Sequence, residues 1–230
     1  MKKYDIILFG GNRLKEDGPM TTMIRTISSH NLSSFLFLDP SHAHMQCNNG
    51  DFTYNLKKEK IDFEIIDKID FEKIRKIIKN ESIGLSLNSR WIFKKNIIEI
   101  FKGKLYNYHS ADLPGQRGAG CNSWELIRGK KKGSLNFHII EEEIDTGYVV
   151  LNCRFNYLKS DKTIRDRYKT IEKNEKVFFN SFIKKIVKNE KFNPIHNSFD
   201  NSYYFPPLST INHGWVNWLW TGKEIERFAN

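Results

Sequence analysis

Short apolar runs alternate with segments of helical periodicity through the first half of the chain. Residues 4–10 (YDIILFG) form an apolar run that ends in glycine, which is typical of a buried parallel strand. After a loop, Pro19 stands near the first position of a segment whose apolar residues recur at helical spacing. The same alternation predicts further strands over 34–39, 62–66, 82–87 and 105–109, and helices over 70–79 and 92–101.

The second half of the chain has a different rhythm. Residues 134–140 and 147–155 are strand-like runs joined by an acidic loop, EEEIDTG, which predicts an antiparallel hairpin. Asp161 is placed to cap a long helix that reaches about Lys188. From Asn193 onward the composition shifts to aromatic residues and prolines.

These elements together predict an α/β fold with a Rossmann-like, mostly parallel sheet and helices on both faces. The antiparallel hairpin is expected at the end of that sheet, followed by a short aromatic C-terminal extension. We divide the chain into an α/β domain over residues 1–190 and an extension over residues 191–230.

The formal net charge of +10 would suit nucleic-acid binding, because clustered Lys and Arg neutralise phosphates. Here the basic residues are scattered along the chain with acidic residues between many of them, and a general bias toward Lys, Ile and Asn accounts for them. We therefore predict no nucleic-acid partner and interpret the charge as suited to a small anionic substrate.

The cysteines and the apolar segments indicate a cytoplasmic protein. Cys47, Cys121 and Cys153 are odd in number and lack the spacing of a disulfide framework, so we predict reduced thiols. The N-terminal apolar run is too brief for a signal peptide, and no segment approaches the ~20 apolar residues that span a bilayer, so no membrane partner is predicted. His42, His44 and Cys47 have metal-ligand types but no fourth ligand nearby, and we predict no metal site.

The stretch LYNYHSADLPGQRGAG, residues 105–120, places two polar side chains where a predicted strand ends. Asn107 and His109 are two residues apart and therefore share a face of the strand. Asp145 follows later in the turn D-T-G. Each residue has a plain structural interpretation, as a strand-end hydrogen bonder, a core histidine and a turn residue, but their joint spacing favours a catalytic site.

The pattern N-x-H-S-x-x-L-P, then R-G-A, then D-T-G resembles the active-site signature of the 10-formyltetrahydrofolate-dependent formyltransferases. The match is in register at Asn107, His109, 113–114 and 145–147. The resemblance implies transfer of a formyl group from 10-formyltetrahydrofolate to an amine. In such a reaction Asn107 would stabilise negative charge on the formyl oxygen, His109 would take up or relay a proton, and Asp145 would orient and charge His109.

The resemblance also implies where the folate lies. In this family it occupies a cleft between the segment after the fourth strand and the loop before the catalytic Asp, held largely by backbone groups. Carried over to this chain, the expected cofactor contacts are Trp91, Ile92, Phe93, Ile139, Glu142 and Asp145. Trp91 has the plain interpretation of a buried aromatic residue as an equal alternative.

The tail bears on which amine receives the formyl group. Residues 211–228 (INHGWVNWLWTGKEIERF) resemble the segment after the catalytic domain in sugar N-formyltransferases, whereas initiator-tRNA enzymes carry a full C-terminal barrel. The resemblance implies a nucleotide-linked amino-dideoxy sugar, in particular a dTDP-sugar, in surface polysaccharide (O-antigen, lipopolysaccharide) biosynthesis. For this substrate we predict contacts at Asn12, Arg13 and Arg117, the first two in the loop before a helix whose start favours anions. The alternative is that Arg13 and Arg117 are solvated surface charges.

Several alternatives stay open at this point. The tail aromatics Tyr203, Tyr204, Trp215, Trp218 and Trp220 could stack on a base or be buried against a second subunit, and the second arrangement leads us to expect a homodimer. The acceptor could be another amine, such as a ribonucleotide or an aminoacyl-tRNA. A non-catalytic RNA-binding module is the competing class.

Overall fold

The computed structural model describes residues 2–12, 18–47, 50–195 and 202–230. Within these ranges a mixed sheet forms the centre of the molecule, and two short pairs of strands lie outside it. The strands, numbered along the chain, are β1 (Tyr4–Gly10), β2 (Ser34–Leu38), β3 (Gln46–Cys47), β4 (Gly50–Asp51), β5 (Asp62–Ile65), β6 (Ile78–Leu87), β7 (Leu105–His109), β8 (Gln116–Gly118), β9 (Lys132–Ile139), β10 (Val149–Asn156) and β11 (Tyr203–Phe205).

The sheet has the order β10-β9-β7-β6-β1-β2-β5. Pairing is parallel from β7 through β6, β1 and β2 to β5. β9 pairs antiparallel with β7, and β10 pairs antiparallel with β9. The predicted Rossmann-like, mostly parallel sheet with an antiparallel hairpin at its end is therefore confirmed.

Helices cover both faces of the sheet, as predicted. On one face, α1 and α7 pack with residues such as Leu8, Leu85 and Phe137 into the larger core. On the other face, α4 and α5 pack with Ile7 and Phe9 into a smaller one. The helices are α1 (Pro19–Ser29), α2 (Pro40–Ala43), α3 (Phe52–Lys58), α4 (Phe71–Ile77), α5 (Lys95–Ile100), α6 (Cys121–Ile127), α7 (Ile164–Val187), α8 (Thr210–His213) and α9 (Gly222–Ala229).

The predicted cap of the long helix is wrong. Thr163 caps α7, and with Asp166 it forms a reciprocal capping box in which each side chain bonds the other residue's backbone N–H. Asp161 instead accepts hydrogen bonds from Leu158 N at 2.8 Å and from Thr170 Oγ1 at 2.8 Å. The carboxylate therefore fastens the turn before the helix to the second turn of the helix.

The helix predicted over 92–101 begins later than expected, at Lys95. Trp91 donates its indole N–H to Asp67 O at 3.0 Å, and Phe93 is buried in the smaller core. These two contacts hold residues 88–94 in a loop. The loop closes over the end of β6, where it borders the cavity described below.

The tail is attached to the rest of the protein at two places. β11 pairs in parallel with β8, with Tyr204 opposite Arg117. α9 lies against α6, where Arg227 Nε donates to Ile127 O at 3.0 Å. The division at residue 190 stays a prediction.

Across the described part of the chain, none of the helices combines the length and the apolar character needed to cross a bilayer.

Candidate active site

The polar residues of β7 and β9 meet on one face of the sheet. The antiparallel register pairs Asn107 with His138 and His109 with Asn136. Side chains of directly paired residues lie on the same face, so these four project together. The opposite face of the two strands carries Tyr108 and other residues that pack against α7, which leaves the polar set under loops rather than under a helix.

The turn D-T-G brings Asp145 back over this polar face. Asp145 has φ +55°, a left-handed conformation that Asp adopts more easily than most residues. Gly147 then passes so close to β9 that a Cβ there would lie 1.9 Å from Ile139 O. Glycine is therefore required at this position for the loop to fold back onto the strand.

Asp145 is the centre of the cluster. Its Oδ2 lies 3.5 Å from His109 Nδ1 and accepts a hydrogen bond from Gly118 N at 2.8 Å. Its Oδ1 lies 3.3 Å from His138 Nε2 and accepts from Asn107 Nδ2 at 3.3 Å. The three predicted catalytic residues, Asn107, His109 and Asp145, are thus in contact.

The electrostatics of the cluster keep Asp145 ionised. Burial alone would raise the pKa of this carboxyl, whose side chain is 9% exposed. His109, His138 and the Gly118 N–H outweigh burial and hold the pKa of Asp145 well below its ordinary value. A buried anion therefore faces both imidazoles.

His109 presents one particular nitrogen to Asp145. Its Nε2 lies 2.7 Å from Gln116 O, and a carbonyl only accepts, so Nε2 carries a proton. In the neutral ring the basic nitrogen is then Nδ1, the atom that faces Asp145 Oδ2. His109 can therefore accept a proton at Nδ1 and hold it beside the carboxylate.

His138 is a site residue that the sequence reasoning missed. Its Nδ1 lies 2.8 Å from Ile139 O, and its Nε2 lies 3.1 Å from Asn107 Nδ2. The signal was present, because Asn136 and His138 repeat on β9 the spacing of Asn107 and His109 on β7. His138 and Asp145 together fix the Asn107 amide from one side.

A cavity of about 620 Å³ opens beside the cluster. This is within the range of small-molecule and cofactor sites. Asn107, His109 and Asp145 border it. Besides Asp145, four further predicted folate contacts do so: Trp91, Ile92, Phe93 and Glu142.

The cavity wall also suits a ligand rich in hydrogen-bonding groups. Asn88 Nδ2 is buried beside it and has no hydrogen-bond partner among the described residues. A buried N–H without a hydrogen-bond acceptor costs free energy. Asn88 and the apolar Phe93 in this wall suit a pterin, which carries both donors and acceptors around a flat ring.

Two predicted contacts have side chains that are engaged elsewhere, and both contacts stay predictions. Ile139 lies on β9 next to the cavity, but its side chain packs against the larger core, and Ile140 borders the cavity instead. Asn12 is 1% exposed and uses its amide on Thr21, accepting from Thr21 N at 3.1 Å and donating to Thr21 Oγ1 at 2.8 Å. The Asn12 side chain therefore fastens the loop after β1 to α1.

The two predicted arginine contacts have different outcomes. Arg13 lies outside the described residues. Arg117 donates from Nε to Ser202 Oγ at 2.8 Å, and it borders a second cavity that shares the residues 141–143 with the first. A substrate contact at Arg117 stays a prediction.

Cys121 borders the cavity but is not suited to nucleophilic chemistry. Burial, with a smaller contribution from the Asp145 charge, raises the pKa of its thiol to about 12. The thiol is therefore protonated at neutral pH, and only a thiolate is a good nucleophile.

Comparison with known proteins identifies the architecture. Residues 87–183 match the family model described as formyl transferase. The N-formyltransferase of Helicobacter canadensis, solved with folinic acid and dTDP-3-aminofucose, superposes with a TM-score of 0.78 at 20% identity over 98% of this chain and 79% of that one. The chain has a formyltransferase fold.

Further formyltransferases are similar in structure or in sequence. WlaRD, a sugar 3N-formyltransferase solved with dTDP and 5-N-formyl-THF, gives a TM-score of 0.75 at 20% identity over 99% of this chain and 78% of that one. In sequence, the methionyl-tRNA formyltransferase of Finegoldia magna is 29% identical over 96 residues, 42% of this chain and 27% of that protein. The GDP-perosamine N-formyltransferase of Brucella melitensis is 26% identical over 77 residues, 34% of this chain and 30% of that protein. The chain thus covers less than a third of the length of each of these two curated relatives.

Two of the residues with metal-ligand types near position 45, His44 and Cys47, make other contacts in the structure. His44 lies 3.6 Å from Asp51, whereas Cys47 Sγ contacts Met45 O at 3.7 Å. Within the described ranges, no group of three or more His, Cys, Asp or Glu side chains could hold a metal ion.

Proposed function

We propose that this protein is an N-formyltransferase that moves the formyl group of 10-formyltetrahydrofolate to the amino group of a nucleotide-linked amino-dideoxy sugar. The observation that carries this proposal is the contact of Asn107, His109 and Asp145 around one carboxylate, at the wall of a cavity of about 620 Å³. The sequence pattern predicts all three as catalytic residues, and the match to the formyl transferase family model covers all of them.

In the proposed reaction the side chains of the cluster have different tasks. Asn107 Nδ2, His138 Nε2 and Asp145 Oδ1 form a nearly equilateral triangle of 3.1, 3.3 and 3.3 Å. One N–H of Asn107 can therefore point at both neighbours, which leaves the second N–H for the oxygen of the formyl group. A donor fixed in advance stabilises the negative charge that this oxygen gains.

The proton of the attacking amine goes to the opposite side of the cluster. The amine nitrogen bonds to the formyl carbon, the bond from that carbon to the donor nitrogen breaks, and a proton passes from the amine to the donor nitrogen. His109 Nδ1 can carry this proton, because Asp145 Oδ2 at 3.5 Å stabilises the imidazolium. 10-Formyltetrahydrofolate supplies the formyl group when bound, with Trp91, Ile92, Phe93 and Glu142 in the wall that would hold it.

The choice of a sugar as acceptor is supported by the degree of the structural likeness. The enzyme solved with dTDP-3-aminofucose and the sugar 3N-formyltransferase give TM-scores of 0.78 and 0.75, whereas the methionyl-tRNA formyltransferase of Clostridium thermocellum, which matches over 97% of this chain, gives 0.64. The likeness to the Brucella GDP-perosamine enzyme in sequence points to the same class of acceptor.

A direct assay tests the donor and the acceptor together. The protein is incubated with 10-formyltetrahydrofolate and a panel of dTDP- and UDP-linked 3-amino and 4-amino sugars, and formylated products are identified by mass spectrometry. Asn107→Ala and His109→Ala are expected to lower kcat by about 10²-fold or more. Asn152→Ala, on the exposed face of β10, is the matched control and should keep wild-type turnover. Folded Asn107→Ala and His109→Ala proteins with near-normal kcat would contradict the assignment.

A second acceptor class is favoured by one observation, the sequence match to methionyl-tRNA formyltransferases. Methionyl-tRNA therefore belongs in the same panel. Formylation of the tRNA-bound methionine with no product from any sugar would keep the catalytic assignment and replace the acceptor.

A further inference from the structure

The cavity is completed by a residue that comes from the tail. β11 lies beside β8, and this places Tyr204 and Pro207 in the wall of the cavity that also contains Asn107 and His109. Of the five tail aromatics that could contact a substrate, Tyr204 alone borders this cavity in the described part of the chain. Trp215 and Trp218 are 75% and 86% exposed elsewhere on the surface.

Tyr204 is close to the reacting groups. Its ring lies over Gly118, where a Cβ would come within 2.9 Å of Tyr204 Cε2. Gly118 N in turn donates to Asp145 Oδ2 at 2.8 Å. One residue therefore separates the ring from the carboxylate of Asp145, and a group packed on the ring would share the cavity with Asn107 and His109.

The ring is available for such a contact. Tyr204 is 50% exposed, although the edge toward Gly118 is covered. Half-exposed aromatic rings in a cavity wall gain free energy by packing against apolar surface of a ligand.

A second observation on the same wall points to a ligand with hydroxyl or amino groups. Asn122 is 7% exposed and borders the cavity, and its Nδ2 donates to Ser110 Oγ at 2.9 Å. Its Oδ1 is buried and accepts no hydrogen bond from any residue that the structure describes. An unfilled acceptor of this kind favours a ligand that donates an O–H or N–H.

We infer that Tyr204 and Asn122 form the subsite for the sugar ring that carries the accepting amine, with Tyr204 packing on the apolar face of that ring and Asn122 Oδ1 accepting from one of its polar groups. A pyranose has both features, C–H groups on a face and O–H groups at the rim. The inference rests on the proposed function. It places acceptor recognition in the tail strand β11 and in α6, apart from the loops at 88–93 and 140–145 on the folate side.

Two adjacent tyrosines provide the test. Steady-state kinetics with the best amino sugar of the dTDP and UDP panel are measured for Tyr204→Ala, Tyr204→Phe and Tyr203→Ala. Tyr203 is 62% exposed, lies next to Tyr204 on β11 and does not border the cavity, so Tyr203→Ala controls for a general effect on the tail strand.

The inference predicts a selective change in acceptor binding. Tyr204→Ala should raise the acceptor KM about tenfold and leave the KM for 10-formyltetrahydrofolate unchanged, whereas Tyr204→Phe and Tyr203→Ala should resemble the wild type. Asn122→Ala should also raise the acceptor KM with an unchanged donor KM. An unchanged acceptor KM in Tyr204→Ala, or an equal rise in Tyr203→Ala, would overturn the inference while the proposed function stands. A wild-type protein that formylates no sugar would overturn the inference together with the sugar acceptor of the proposed function.

Discussion

Replacing Asp145 with Asn tests the role of the buried carboxylate most directly. Asn is nearly isosteric and tolerates the φ of +55° at this position. Its oxygen can still accept from Gly118 N, and its amide can donate to His138 Nε2. The fold of the loop should therefore survive, and the change removes the negative charge together with the oxygen that accepts from Asn107 Nδ2.

The expected effect follows from the distance between the charges. At 3.5 Å and an effective dielectric constant of about 20, the attraction between the Asp145 carboxylate and a protonated His109 is about 5 kcal/mol. The dipole of the Asn amide and local relaxation would retain part of this, which leaves a loss of about 3–4 kcal/mol. At 1.36 kcal/mol per factor of ten, kcat should fall by about 10²–10³.

The assay is the formyl transfer reaction at saturating donor, with far-UV circular dichroism and thermal unfolding as checks on the fold. A kcat within a factor of ten of wild type in a folded Asp145→Asn protein would refute the charge argument.

Acid unfolding gives an independent readout of the same group. The pKa of Asp145 is lowered on folding, so its ionisation contributes stability above the unfolded pKa of about 3.9, and this contribution is lost as the pH falls below that value. The free energy of unfolding should therefore decline more steeply with acidification in the wild type than in Asp145→Asn.

Three further predictions concern the surroundings of the site. Gly118→Ala puts a Cβ 2.2 Å from Phe205 O at a residue with φ +95°. The substitution should lower the free energy of unfolding in urea by about 1–3 kcal/mol and should lower kcat. Full activity and stability would contradict the observed packing. Burial raises the pKa of Glu125 to about 7, so the contribution of this carboxyl to stability is present below its unfolded pKa and is lost as the pH rises toward 7. Between pH 5 and pH 8 the free energy of unfolding of Glu125→Gln should therefore gain about 3 kcal/mol relative to that of the wild type. Equal differences at both pH values would oppose this. Thr163→Ala removes the capping box with Asp166, and should lower the free energy of unfolding by about 1 kcal/mol with kcat unchanged. An unshifted unfolding midpoint would mean that the cap contributes nothing to stability.

The sequence was most informative where a pattern is local. Apolar runs and helical spacing located the central strands and α1, and the N-x-H spacing located Asn107 and His109 because a strand alternates faces without regard to the rest of the fold. The cap of α7 was misplaced because Asp161 and Thr163 are both good cap residues, and only the reciprocal bond with Asp166 distinguishes them.

Other features depended on contacts between distant parts of the chain. His138 reaches the site through its pairing with Asn107, and this register is fixed by burial on the far side of β9. The amide of Asn12 is occupied by Thr21, nine residues away, which nothing in the local pattern indicates. Tyr204 borders the cavity because β11 pairs with β8, and three-residue strands leave almost no periodic signal.

The antiparallel pairing of β7 with β9 also protects the protein against a particular kind of misfolding. A slip of one residue would replace His138 by Phe137 or Ile139 beside Asn107 and would turn Asn136 and His138 toward α7. Phe137 now stacks on Phe178 and Phe182 of α7 with ring centroids 5.2 and 3.9 Å away. The shifted hairpin would lose that stacking and bury two unpaired polar side chains in its place. The register that breaks up the cluster around Asp145 is therefore also the one that the aromatic core disfavours.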